Sequence, residues 1–195
     1  MPNHFACFGF EPRPWIDPEK LKQRFLELSA ETHPDKAGPE EKAGFEKNFQ
    51  QLNESYQIIR STRARLLHLL ELSGLPKQEH VQNVPPDALE FFAQVAAVTK
   101  DADKLIKEKA AITSPMLMVQ LMERALNHAT AIQSLQEQLR ARIDVIEDRL
   151  KELSASWREP ATEPALNSLK ESAAALGFLE RWTAQLQERI ASLTF

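Results

Sequence analysis

The chain has 195 residues, 43% of them hydrophobic and 27% charged, and carries a net charge of -4. This composition is typical of a globular protein with one or two domains, and the single cysteine, Cys7, excludes a disulfide framework or a thiolate-held metal cluster. Because the charges are mixed in sign and neither a long apolar run nor a signal-peptide pattern occurs, we expect a cytoplasmic protein that binds neither nucleic acid nor a membrane.

Apolar residues recur at three- and four-residue intervals along most of the chain, whereas the alternation typical of strands never persists. The sequence therefore predicts an all-α fold. A first short helical turn is expected around Phe5 and Phe8, because Gly9 and the prolines Pro12 and Pro14 would end it.

Two helices with apolar stripes follow and are predicted to pair as an antiparallel hairpin. The first begins after Asp17, an N-cap followed by Pro18 at the first helical position, and ends where Pro34 restricts the residue before it. The second begins near Pro39 and carries its apolar stripe as far as Ile59. The polar break between them, which contains the tripeptide His-Pro-Asp, is placed at the tip of the hairpin.

A further short helix and a domain boundary are predicted after the hairpin. Ser61 is expected to cap this helix and Gly74 to end it, with leucines between them covering the hairpin. The next stretch contains three prolines and no helical period. We therefore divide the chain into an N-terminal domain (1–75), a linker (76–86) and a C-terminal domain (87–195).

The C-terminal domain is predicted to be an antiparallel bundle of three helices. The first helix spans about residues 87–109, and the second runs from a Ser114 cap to about Trp157. Apolar residues of the second helix from Ile132 onward are spaced like the seam of a coiled coil. The loop "REPATEP" then precedes a last helix that carries Ala165 and continues to Leu193, and the sequence assigns no role to the extended segment 155–170.

The histidines give no sign of an active site or a metal centre. His33 and Asp35 lie at the predicted tip without a neighbouring nucleophile or an enclosed pocket, so we expect no catalysis by this chain. The other histidines lack the i, i+4 partners of a zinc site, and each is expected to be a surface or half-buried side chain. These other histidines are His4, His68, His80 and His128. No phosphate-binding glycine loop occurs, and no cofactor is expected.

The arrangement of these motifs resembles the J domain, and specifically the HscB-type J-domain co-chaperones of iron-sulfur cluster assembly. The resemblance covers nearly the whole chain, and its most specific part is the His-Pro-Asp tripeptide within the hairpin. The matching stretches are "NHFACFGFEPRPWID", "KLKQRFLELSAETHPDK", "LNESYQIIRSTRARLLHLLELSG" and "ALGFLERWTAQLQERI". The glycine/phenylalanine-rich linker, zinc repeats and β-rich client domain of general DnaJ proteins are absent, which favours the specialised type.

The resemblance implies a co-chaperone that activates ATP hydrolysis by a DnaK-type (HscA-like) chaperone and delivers an IscU-type scaffold to it. The His-Pro-Asp loop would meet the chaperone, where Asp35 could accept a charge-assisted hydrogen bond from an arginine. Basic residues on the preceding helix could attract an acidic chaperone surface, although a solvated helix face explains them equally well. The residues implied in chaperone binding are His33, Pro34, Asp35, Lys36, Lys20, Lys22 and Arg24.

The same resemblance implies that the bundle binds the IscU-type scaffold through an apolar patch on its first and last helices. The matching residues are Phe91, Phe92, Val95 and Phe178. Phe92 also continues an apolar stripe from Leu89, so it could instead belong to the core. Where family members often have acids, this sequence has Ala96 and Thr99, with Asp103 as the nearest acid, which leaves the electrostatic share of scaffold binding open.

Two other functions fit the same sequence. The seam from Ile132 to Trp157 could make the protein a coiled-coil scaffold that oligomerises, with His-Pro-Asp serving only as a turn. Alternatively, a J protein that serves a different client would differ from the first hypothesis only in its bundle.

Overall fold

The computed structural model describes residues 2–32, 42–76 and 83–194, and all the regular structure in these ranges is helical. None of these helices is long and apolar enough to cross a membrane. The α-helices are α1 (Pro18–Thr32), α2 (Lys42–Arg60), α3 (Thr62–Leu72), α4 (Pro86–Ala111), α5 (Pro115–Ala155) and α6 (Glu163–Leu193). The predicted all-α fold is therefore confirmed.

The opening segment folds as its capping residues predict. A turn of 3-10 helix, Ala6–Phe8, ends at Gly9, which adopts a left-handed conformation with a φ of 71°. Asp17 Oδ1 then accepts hydrogen bonds from the backbone N–H groups of Glu19 (3.0 Å) and Lys20 (3.4 Å). These bonds satisfy amides that the first turn of α1 leaves unpaired, so the predicted start of α1 is confirmed.

Helices α1 and α2 pack along the apolar stripes that the sequence predicts. Leu21 and Leu52 are almost fully buried, and Phe25 stacks on Tyr56 with ring centroids 4.0 Å apart. The connection between the two helices, residues 33–41, lies outside the described residues. The helical hairpin is confirmed for the parts of α1 and α2 that the structure describes.

Helix α3 begins and ends at the residues that the sequence predicts. Ser61 Oγ accepts a hydrogen bond from the N–H of Ala64 (3.3 Å), as an N-cap does. Leu66 and Leu69 are fully buried, and Gly74 follows the helix with a φ of 80°. Glycine adopts a left-handed backbone conformation at a lower conformational energy than other residues do, which explains why the helix ends at this position.

The chain divides into two compact units that do not follow the order of the sequence. Unit 1 comprises Met1–His80 with Glu147–Ala173, and unit 2 comprises Val81–Ile146 with Ala174–Phe195. Helices α5 and α6 therefore each contribute one part to unit 1 and one part to unit 2. The predicted division of the chain at a linker in residues 76–86 did not anticipate this sharing, and as a statement about domains it stays a prediction.

In unit 2, α5 runs antiparallel to α4 and also contacts α6. His128 Nε2 on α5 hydrogen-bonds the carbonyl of Val98 (2.9 Å) midway along α4, while Arg142 pairs with Asp87 (3.6 Å) at the start of α4. Gln136 of α5 donates from its amide to a backbone carbonyl of α6 (3.2 Å). These contacts confirm the predicted three-helix bundle.

The coiled-coil-like seam of α5 faces the protein interior. Ile132, Leu139 and Ile146 are fully buried, and Leu150 and Trp157 are nearly so. A seam that is already covered within the monomer cannot pair with a second copy. The structure therefore does not support the alternative of an oligomer assembled through this seam.

Candidate partner-binding surfaces

The hairpin of unit 1 has two defined helix ends beside the predicted chaperone-binding loop. Helix α1 continues to Thr32, whose hydroxyl donates a hydrogen bond to the carbonyl of Leu28 (2.8 Å), and α2 is described from Lys42 onward. Four loop residues predicted to bind the chaperone lie outside the described residues. They are His33, Pro34, Asp35 and Lys36. Their roles stay predictions.

The three basic residues predicted to assist on α1 do not share one surface. Lys20 and Lys22 are exposed but stand two positions apart, which separates them by about 200° around the helix. Lys20 lines a groove with Trp15, whereas Lys22 lines a different cavity. Arg24 forms an ion pair with Glu27 (3.1 Å). Helix α1 thus carries scattered positive charges rather than one continuous basic face.

A buried arginine joins the elements of unit 1 beside the hairpin. Arg65 Nε donates to the carbonyl of Pro14 (3.0 Å), and its Nη1 donates to the carbonyl of Ile59 (2.7 Å). Its Nη2 donates to the hydroxyl of Thr62 (3.3 Å), which donates in turn to Glu147 Oε1 on α5 (2.8 Å). Burial lowers the pKa of Arg65 to about 10 although Glu147 opposes the shift, so the guanidinium remains charged at neutral pH. We call this set the Arg65 network.

Two histidines, His4 and His68, lie in the core of unit 1, although the sequence predicted them to be at the surface or half-buried. The backbone N–H of His4 donates to Nε2 of His68 (3.1 Å), and His4 Nδ1 lies 3.0 Å from Ser55 Oγ. Burial lowers the pKa of His68, the charge of His4 lowers it further, and Glu71 opposes both. The prediction is wrong for these two rings, because buried polar partners satisfy them, while His80 lies outside the described residues.

Within the described ranges, no group of three or more histidine, cysteine, aspartate or glutamate side chains could hold a metal ion. Cys7 is a free, partly exposed thiol.

Helix α4 turns a different face to the interior from the predicted one. Phe91 and Val95 are 6% and 4% exposed, whereas Leu89 and Phe92 are 60% and 53% exposed. The predicted stripe through Leu89 and Phe92 is wrong by one residue. The two adjacent phenylalanines fit a stripe through Phe91 as well as one through Phe92, and the fully buried Ala88 belongs to the stripe of Phe91. Phe91 and Val95 therefore belong to the core and are not part of an exposed patch.

The exposed ring of α4 meets two aromatic side chains of α6. The ring centroid of Phe92 lies 6.4 Å from that of Trp182, which lies 5.6 Å from that of Phe178. Arg181 covers Phe178 with its guanidinium 4.7 Å from the ring centroid. The structure thus brings together the rings of Phe92 and Phe178, with the buried Val95 lining the same groove as Phe92, and adds Trp182, which sequence analysis missed. Its position four residues after Phe178 was an available signal, since i and i+4 share a helix face.

This aromatic cluster (Phe92, Phe178 and Trp182) stands at one end of a groove between α4 and α6. The groove has a volume of about 520 Å³, and Phe92 and Trp182 line it directly. Its other end is lined by three lysines and, among the described lining residues, by a single acid, Asp103. Asp103 is paired with Arg189 Nε of α6 (3.2 Å). The three lysines are Lys100, Lys104 and Lys107.

A second apolar surface, which sequence analysis did not identify, lies on the first part of α5. Met116, Val119 and Leu126 are strongly exposed, and Met122 is partly so. They recur three or four residues apart, so they share one face, opposite the buried Leu121. We call these four exposed residues the α5 apolar face.

Comparison with known proteins identifies the N-terminal part of the chain. Residues 3–68 match the family model of the DnaJ domain, a range that includes the described parts of α1 and α2 and most of α3. Residues 3–68 therefore have the sequence pattern of a J domain. The Arg65 network and the buried histidine pair thus belong to the J domain, with Glu147 contributed by α5.

The fold of the whole chain is similar to that of solved HscB structures. Chaperone HscB from Vibrio cholerae matches with a TM-score of 0.58 and 16% sequence identity, over 99% of this chain and 100% of that one. The human co-chaperone protein HscB matches with a TM-score of 0.57 and 18% identity, over 98% of this chain and 81% of that one. Residues 3–68 thus match the J-domain family in sequence, and the fold of the whole chain is similar to that of HscB.

Proposed function

We propose that this protein is a J-domain co-chaperone which stimulates ATP hydrolysis by a DnaK-type, HscA-like chaperone and delivers an IscU-type scaffold to it during iron-sulfur cluster assembly. The observation that carries the proposal is a J domain within a chain whose whole length is similar in fold to HscB. On this proposal the chain activates the active site of another protein, performs no chemistry itself and requires no cofactor. We place it in the cytoplasm.

The J domain is proposed to reach the chaperone through the loop that joins Thr32 to Lys42. Asp35 in this loop is suited to accept a charge-assisted, bidentate hydrogen bond from a chaperone arginine. The exposed Lys20 and Lys22 add positive charge nearby, which increases the rate of encounter with an acidic surface more than it increases affinity. The loop therefore supplies the specific contact, and the scattered lysines assist the approach.

ATP turnover by the cognate chaperone in the presence of scaffold tests this contact. Asp35→Asn keeps the shape of the side chain and removes its charge, so we expect it to abolish most of the stimulation, as does His33→Gln. Asp144→Asn makes the same chemical change at an exposed position of α5 and should stimulate like the wild type. If Asp35→Asn stimulates as well as the wild type does, this mechanism is wrong.

Scaffold binding is proposed for the aromatic cluster rather than for all four residues implied by the resemblance. Phe92 is exposed, Phe178 is half-buried and Trp182 is 8% exposed beneath them, and an exposed aromatic ring beside a concave groove has the character of an interface hot spot. Phe91 would act only indirectly, because it is buried and its ring centroid lies 6.0 Å from the guanidinium of Arg142 on α5. Val95 is also buried but lines the floor of the groove next to Phe92.

Calorimetric titration with the IscU-type scaffold tests the cluster. Phe92→Ala and Phe178→Ala remove exposed or half-exposed rings, and each should weaken binding roughly tenfold, as truncation of an aromatic hot spot does. The double variant Val119→Ala and Leu126→Ala on the α5 apolar face is the matched control and should bind normally. If only the control variant loses binding, the scaffold-binding site lies on the α5 apolar face instead. Normal chaperone stimulation without any scaffold binding would instead favour a J protein that serves another client.

A further inference from the structure

The groove of unit 2 changes character along its length. Lys100, Lys104 and Lys107 share one face of α4, which is turned by roughly 60–120° around the helix from Phe92, and all four residues line the groove. The 15 residues from Phe92 to Lys107 correspond to about 22 Å along the helix axis. An extended segment of roughly seven residues spans that distance. The groove can therefore hold a short peptide segment with one end on aromatic rings and the other on lysines.

The positive charge at the basic end is not compensated by the described residues. Asp103, the acid that lines the groove, is already paired with Arg189. Lys104 bonds Asp101 at 3.0 Å, but both side chains are more than half exposed, and such pairs contribute little in water. Lys100 and Lys107 form no ion pair with the residues that the structure describes.

Asp101 lies on the other side of α4, where it lines a cavity with His128 and Arg124 of α5. Its pKa is lowered first by the hydrogen bond from Lys104, then by the charge of Lys104, with His128 and Lys100 adding to the shift. This shift reflects the ion pair between Lys104 and Asp101. Lys100 and Lys104 also line the groove, so a partner carboxylate that enters it would lie close to both lysines.

On the basis of the proposed function, we propose that the scaffold segment which occupies this groove is acidic, with an apolar side chain against the aromatic cluster and carboxylates against Lys100, Lys104 and Lys107. The apolar anchor supplies binding energy, and the charges fix the direction in which the segment lies. Ala96 lines the groove between the two ends and leaves room for the backbone of the segment.

An acidic protein segment fits these observations better than a nucleic acid does. The chain carries a net charge of -4, and nucleic-acid binding requires a broad basic surface that tracks the phosphates. Glu188 on α6 has an exposed side chain and would repel a continuous polyanion along the two helices, whereas Glu90 on α4 is already paired with Arg142. A protein segment that has an apolar residue at one end and only a few carboxylates at the other would meet less of this repulsion.

Charge reversal at the groove tests the proposal with the IscU-type scaffold as the probe. Lys100→Glu with Lys107→Glu should weaken binding at least tenfold at about 50 mM salt, and the difference should shrink at about 300 mM salt, where charges are screened. Arg124→Glu with Arg140→Glu makes the same change in net charge on α5 and should bind much more like the wild type. If the scaffold needs Phe92 and ignores the lysine reversal, the inference is overturned and the proposed function stands.

A second probe does not depend on the scaffold. A short peptide of leucines followed by glutamates and its leucine-lysine counterpart are each titrated into the full chain, and the indole N–H of Trp182 is followed by NMR. Selective shifts with the glutamate peptide, lost on Lys100→Glu with Lys107→Glu, support the inference even if the scaffold itself fails to bind. Equal shifts with both peptides overturn it. Lysine-dependent binding of a single-stranded oligonucleotide in preference to the glutamate peptide overturns it as well.

Discussion

The two units have cores of different chemistry. In the part of the chain that the structure describes, every buried polar or charged residue belongs to unit 1, whereas the buried residues of unit 2 are apolar. The buried polar set comprises His4, Ser55, Arg65, His68, Ser154 and Ser172. Unit 2 instead places its ion pairs near the surface, as Arg124 does with Glu108 (2.7 Å). Unit 1 adds buried directional hydrogen bonds to its apolar packing, whereas the core of unit 2 is apolar.

This difference matches what each unit is proposed to do. Buried hydrogen bonds are satisfied in few arrangements, so the Arg65 network fixes how the segment at Pro14, the end of α2 and the start of α3 meet. A J domain that presents a single loop to a chaperone benefits from such fixed geometry. Apolar packing leaves surface positions free to differ, which suits a bundle whose exposed face selects a partner.

The largest expected effect is on unit 1, from removing its buried cation. Arg65→Met keeps much of the side-chain volume but leaves the carbonyls of Pro14 and Ile59 without their donors, so we expect a loss of about 3 kcal/mol in the free energy of unfolding. Urea unfolding measures the loss, and hydrogen exchange of peptides from α1 to α3 assigns it to unit 1. Arg60→Met makes the same change at an exposed position of α2 and should cost far less. A loss below about 1 kcal/mol for Arg65→Met would contradict a core organised by the network.

A smaller effect is expected when the pH is lowered, and again mainly in unit 1. The folded pKa of His68 lies below its ordinary value of 6.5, so below that pH the unfolded chain binds a proton that the folded chain resists. The stability of unit 1 should therefore be full above about pH 6.5 and fall as the pH decreases, by at most about 1.4 kcal/mol per pH unit for one proton.

Hydrogen exchange at about pH 7.5 and about pH 5.5 measures this effect in each unit separately. Glu71 faces His68 and favours its protonation, while His4 opposes it, so a pH-independent unit 1 would mean that Glu71 dominates over burial. His68→Gln should flatten the pH dependence. His128→Gln, at the half-buried histidine of unit 2, should leave it unchanged.

Sequence alone predicted the parts of the fold that depend on neighbouring residues. The N-caps at Asp17 and Ser61 and the left-handed glycine at Gly74 are confirmed, because each is decided within one helical turn. The J domain was recognised for a similar reason, since its tripeptide and flanking helices are contiguous in sequence.

The same reasoning failed where distant residues decide the outcome. Phe91 and Phe92 are adjacent and chemically identical, and only the packing beneath α4 decides which ring is buried. Likewise, nothing local separates the buried Arg65 from Arg63, because the carbonyls that hold Arg65 come from other elements. The candidate site was therefore only half predicted: Phe92 and Val95 of the groove and the neighbouring Phe178 were named, while Trp182 and the three lysines were not.

The smallest expected effect comes from the substitution in unit 2 that mirrors Arg65→Met. Arg142 of α5 pairs with Asp87 and Glu90 of α4 and lies over the ring of Phe91, but its side chain remains partly exposed. Ion pairs of this kind are typically worth about 0.2–1 kcal/mol and are screened by salt. Arg142→Met should therefore cost less than about 1 kcal/mol at low salt and less still at high salt, measured by urea unfolding with hydrogen exchange of α4 and α5. If Arg142→Met costs as much as Arg65→Met, unit 2 also depends on polar contacts, and the contrast between the two cores does not hold.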